Sequence, residues 1–116
     1  MKYPTGDLYD RYTIELLKRD RANADNGDFL LELLTEIKKR GPELSQYVQE
    51  LYTVNGKIWD LESDIRRGKE GELGLEEVGR RALQIRDLNS IRISIKNYIS
   101  EEFEEFQEKK YNHASA

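Results

Sequence analysis
Cysteine is missing altogether, which rules out disulfides, thiolate metal sites and cysteine nucleophiles. Histidine occurs once, as His113 near the chain end, so the Glu-x-x-His pairs of di-iron helical bundles cannot be assembled. Positive charge is short: 19 Lys and Arg stand against 23 Asp and Glu, a net charge of −4. Nucleic acids and anionic membranes call for a basic face, so neither is an expected partner. No apolar run reaches the ~18 residues of a membrane span, and the N-terminus lacks the basic-then-apolar order of a secretory signal, so a cytoplasmic location is expected. No glycine-rich phosphate cradle, nucleophile elbow or zinc spacing is present. Acidic helical pyrophosphatases hold magnesium with Glu-x-x-Glu followed by Glu-x-x-Asp; residues 101–105, Glu-Glu-Phe-Glu-Glu, offer the first half without the second. Neither a cofactor nor a resident metal is expected.

What is present is helix-forming. Hydrophobic residues make up 37% of the 116 residues and charged residues 36%, which suits one domain with a thin core. Two prolines and abundant Leu, Glu, Lys and Arg favour long solvated helices over sheets. Thr5-Gly6-Asp7 can cap a first helix over about 8–22. Asp25-Asn26-Gly27-Asp28 reads as a turn, with Asp28 capping a second helix from Phe29 to about Arg40. Residues 29–34, Phe-Leu-Leu-Glu-Leu-Leu, are apolar enough to demand deep burial or an interface. Gly41-Pro42 ends that helix and can open the next.

The third helix, about 42–67, carries Leu44, Tyr47, Leu51, Val54, Ile58, Leu61 and Ile65 three and four residues apart, a coiled-coil-like seam. Three glycines in 68–74 stop it. A fourth helix follows over about 75–110, and 111–116 reads as a frayed tail, leaving 1–110 as the domain. A short loop between two long helices makes an antiparallel αα-hairpin. The expected fold is therefore an all-α helical bundle built on that hairpin, with two shorter N-terminal helices. Pairing about the loop sets Asn55 by Asn89, Ile58 by Arg86 and Ile65 by Gly79, where a glycine would let the backbones approach. Acids stand four residues before bases at Asp7/Arg11, Glu15/Arg19, Glu36/Arg40 and Glu77/Arg81, the favourable order for helical ion pairs.

Polar residues on the hairpin's inward faces mark the candidate site. Buried amides and charges need partners, so Asn55, Trp59, Asp60, Glu62, Asp64, Arg86, Asn89, Arg92 and Lys96 form either an internal network or a ligand site. Segment 78–98 holds Arg80, Arg81, Arg86, Arg92 and Lys96 against Asp87 alone. An ion-pair network between Asp60, Glu62 and Asp64 and Arg80, Arg81 and Arg86 would fix the hairpin's register. Alternatively, Arg86, Arg92 and Lys96 receive an anionic small molecule in a pocket lined by Asn55, Asn89 and Trp59.

Three runs resemble a family of short bacterial proteins of unknown function, some encoded near glycosyltransferase and surface-polysaccharide genes. They are Asp10-Arg-Tyr-Thr-Ile-Glu-Leu-Leu-Lys18, Asn55-x-x-Ile-Trp-Asp-Leu-Glu-Ser-Asp-Ile-Arg66 and Asn89-x-x-Arg-x-x-Ile-Lys96. Ser90 stands where that family tends to have aspartate. The resemblance adds Asp10, Thr13 and Lys18 to the candidate residues and implies an association with polysaccharide or nucleotide-sugar chemistry. The expected protein acts by binding or assembly without catalysis, as a homo-oligomer, a dimer for preference, or with another protein. The runner-up binds an anion, nucleotide sugar or metal-phosphate, or hydrolyses a phosphate, at the polar cluster.

Overall fold
The structure is a computed structural model, which describes residues 3–42, 44–67 and 74–103. Among these it is all-α, with helices α1 (Thr5–Ala22), α2 (Gly27–Arg40), α3 (Ser45–Arg67) and α4 (Leu75–Glu102) and no strand. The expected extension of the last helix to 110, the 111–116 tail and its His113 lie outside the described residues, as do positions 68–73 of the glycine-rich loop. No described helix is long and apolar enough to cross a membrane.

Helix starts differ from expectation for local reasons. The first begins at Thr5 rather than about residue 8, because Pro4 precedes it at φ −54° and its carbonyl accepts the Asp7 and Leu8 N–H groups at 3.0 and 3.2 Å. Thr5 and Gly6, expected as caps, are buried in the first turn. Asn23, at φ 53°, closes the helix in the left-handed conformation that asparagine tolerates. The second helix starts at Gly27 with Asn26 at its N-cap, so Asp28 lies inside the first turn instead of capping it. Gly41 ends it at φ 155°, and the Phe103 ring lies 2.9 Å from where a Cβ would stand. α3 begins at Ser45, three residues after the expected Pro42, with the Leu44 carbonyl accepting the Tyr47 N–H at 2.9 Å.

Leu8, Tyr9, Leu33, Ile37, Tyr47, Leu51 and Ile99 make one core, drawn from all four helices. Each such side chain contributes about 1.5–3 kcal/mol when fully buried. The Tyr47 ring stands edge-on to Tyr9 and Tyr98, with centroids 6.2 and 5.7 Å apart. Burial pushes the Tyr47 hydroxyl up to about 12, helped by the charge of Glu102 and by Tyr98. α1 is the organiser: it packs on α2, α3 and α4. Its start meets the end of α4, where the Gly6 N–H donates to Ser100 Oγ at 2.9 Å. A Cβ on Gly6 would lie 2.0 Å from the Lys96 carbonyl oxygen, so the close helix contact is here. At Gly79, where close approach was expected, nothing lies within 4 Å and the residue is exposed.

The core sits where the first turns of α1 and α3 meet the last turns of α4. Along the α3 seam Tyr47, Leu51, Val54 and Ile58 are buried, while Leu61 and Ile65 are only half-buried. The apolar run of α2 is amphipathic in fact: Leu30 and Leu33 are buried, whereas Leu31 is 64% exposed.

Candidate functional site
Asp10 is the centre. It lies with Thr13 on one face of α1, three residues apart, and only 4% of its surface is exposed. On α4 the residues Asn89, Arg92 and Lys96 share a face by the same periodicity. Arg92 Nε donates to Asp10 Oδ1 at 2.9 Å and Nη2 donates to Oδ2 at 2.7 Å, a bidentate guanidinium–carboxylate pair. Asn55 on α3 donates from Nδ2 to the same Oδ1 at 2.9 Å and to Thr13 Oγ1 at 3.0 Å. The Thr13 hydroxyl donates to the Asp10 carbonyl at 2.8 Å, and Arg92 Nη1 donates to Asn89 Oδ1 at 3.3 Å. Three helices are thus tied through one carboxylate.

Asn55 and Asn89 therefore do not face each other; Asp10 and Arg92 stand between them. The arrangement answers the cost of burial on every side, since a carboxylate out of water is stable only when paired and hydrogen-bonded. Beside the pair, Asp7, Asp10, Arg11, Arg92 and Lys96 border a 230 Å³ cleft with Tyr3 and Ile14. Lys96 Nζ lies 3.1 Å from Asp7 Oδ1. The cleft thus carries three cations and two anions.

The other expected site residues lie elsewhere. Asp60 is exposed and pairs with Arg21, whose Nη1 also donates to the Gly56 carbonyl at 3.0 Å. Asp64 pairs with Arg81 and Arg67, the one cross-helix ion pair of the expected register network found among the described residues. Arg80 turns to Glu77, and Arg86, exposed, turns to Asp87 at 3.2 Å. Glu62 is exposed, and Trp59 is half-buried on α3. Lys18 belongs to a second cluster, with Nζ 3.1 Å from Glu15 Oε2. The helical pairs Glu36/Arg40 and Glu77/Arg81 form at 3.5 and 2.9 Å, but Asp7 pairs with Lys96 and Glu15 with Lys18 and Arg11.

That second cluster has little mark in the sequence. Asn26, read as a turn residue, donates from Nδ2 to the Glu15 carbonyl and to Glu15 Oε1, both at 2.9 Å, so its side chain ties the α1–α2 turn to α1 instead of capping α2. Burial opposes ionisation of Glu15, yet the bonds from Asn26 and Lys18, with the charges of Lys18 and Arg11, outweigh it. The carboxyl titrates below its ordinary 4.5. The only sequence signal is an acid two helical turns after Leu8, on that residue's inward side of α1. Among the described residues no group of three His, Asp or Glu side chains could hold a metal ion. Comparison with family models, with curated proteins and with solved structures finds no match for the chain.

Proposed function
We propose that the chain works by assembly, as a homodimer of helical bundles each built on an antiparallel α3–α4 hairpin, without catalysis of its own. One observation carries the reading: α4 is the longest helix, 28 residues, yet only Ile99 and Ser100 on it are buried. Leu75, Leu83, Ile91 and Tyr98 are 92, 53, 49 and 55% exposed. A thin core gains most from a second copy, and twofold dimers are the commonest assembly. The Asp10 cluster fits this role as a lock on helix arrangement, because both carboxylate oxygens already accept bonds from within the chain. Asp10, Thr13, Asn55, Asn89 and Arg92, five residues that carry the resemblance to the short bacterial family, are the members of that lock.

A second reading is supported by the cleft beside it. Arg11, Arg92 and Lys96 offer donors for a small anion such as a phosphate or a nucleotide sugar, although Asp7 and Asp10 oppose them. A thermal-shift screen of nucleotides, sugar nucleotides and divalent ions separates the two. A ligand at one hundred times its dissociation constant adds about 2.7 kcal/mol of stability. Assembly predicts no ligand-dependent shift and a melting temperature that rises with protein concentration; a shift with any sugar nucleotide favours the cleft.

A further inference from the structure
Two depressions of 380 and 490 Å³ lie along the groove between α3 and α4, lined by residues of those two helices alone. On α4 the apolar part of the groove is Leu88, Ile91, Ile95 and Tyr98, interleaved with polar residues such as Asp87 and Ser94, and Ile91 and Tyr98 turn away from the Asn89–Arg92–Lys96 face that holds α1. On α3, Glu50, Lys57 and Leu61 fall on one line at spacings of seven and four. Tyr47 meets Tyr98 and Asp64 meets Arg81, which places Val54 level with Ile91. α1 fills one side of the hairpin; the groove is the other.

We propose that this groove is where a second copy of the chain docks, about a twofold axis that lies across the groove at the level of Val54 and Ile91; the inference rests on the assembly reading above. Such an axis runs α3 antiparallel to its counterpart and α4 likewise. It sets Glu50 of one copy near Lys57 of the other, twice, because the two residues stand four and three residues either side of Val54. It also sets Leu88 against the partner's Ile95 and brings Ile91 onto its own equivalent. Opposite charges on α3 and apolar residues on α4, each meeting its complement within about one helical turn of the axis, make the surface self-complementary. The overlap spans about 30 Å of two helices, each about 10 Å wide, or about 600 Å² per copy and about 1,200 Å² in all, the lower end for a specific interface. An interface at that lower end is expected to dissociate on dilution.

The test measures mass by sedimentation equilibrium from low to high micromolar protein, with helicity checked by circular dichroism. Ile91→Asp should abolish the dimer and keep the helicity. Glu50→Lys and Lys57→Glu should each weaken it by about tenfold or more, since each creates two like-charge contacts, and the double reversal should restore it. Leu31→Asp, on the exposed face of α2, should leave it unchanged. A wild-type dimer that survives Ile91→Asp, that is not restored by the double reversal, or that falls apart with Leu31→Asp overturns this face and axis while the assembly reading stands. A wild-type chain that is monomeric throughout overturns both.

Discussion

Replacing Arg92 by leucine removes two of the three side-chain N–H donors on the Asp10 carboxylate, which is 94% out of water in the parent chain, and leaves Asn55 as its remaining donor. Breaking a buried pair from one side costs about 3–5 kcal/mol, most of it the unpaired charge. Arg92 is itself 28% exposed, so water reaches the vacated space and the lower figure, about 3 kcal/mol, is expected. Asp10→Asn keeps one acceptor for Asn55 and frees a cation that can turn to solvent, at about 2 kcal/mol. In the double variant no charge is stranded, so its loss should be about 3 kcal/mol rather than the sum, a coupling of about 2 kcal/mol. Urea unfolding followed by circular dichroism at one fixed protein concentration measures all four corners of the cycle. In melting temperature each kcal/mol corresponds to about 4 °C for a chain of this size. Losses that add to within about 0.5 kcal/mol would refute the claim that one carboxylate ties the three helices.

Glu15→Gln should flatten the acid limb of the stability curve. The unfolded carboxyl titrates near 4.5 and the folded one lower, so its contribution is present above the unfolded value and lost as pH falls through the folded value; urea midpoints below pH 4.5 check this. Gly6→Ala drives a methyl into the Lys96 carbonyl and should cost about 3 kcal/mol, whereas Gly79→Ala meets nothing and should add up to about 1 kcal/mol of helix propensity. Tyrosinate titration by ultraviolet absorbance should show Tyr47, at about 12 against an ordinary 10.0, ionising late. The neutral, buried form stabilises the fold up to pH 10, and that contribution is lost as pH rises through 12, so Tyr47→Phe should unfold at higher pH than the parent chain.

Much of the helix plan was legible because periodicity is a local property. The seam Tyr47, Leu51, Val54 and Ile58 is buried as its spacing requires, and Asn55 beside it is buried and bonded, as a polar residue on an inward face must be. What could not be read was where α1 would dock. Pairing α3 with α4 alone sets the two asparagines side by side; α1 brings Asp10 between them. For the same reason Asp60 is expected to face the arginines of α4, yet it meets Arg21, a residue at the end of α1 with no mark of a long-range partner in its sequence. Glycine carried its own ambiguity. Gly79 and Gly6 are equally small, but only the one beside Lys96 has backbone against it. In residues 29–34 composition hides the helix rotation: Leu30 and Leu33 are buried while Leu31 is exposed, so deep burial holds for one side of the run.

The most direct test of self-assembly is the mass of the unmodified chain in solution across a range of concentrations. Two-copy assembly predicts a particle of twice 13.7 kDa at the upper end that dissociates on dilution. A mass of 13.7 kDa at every concentration would contradict it.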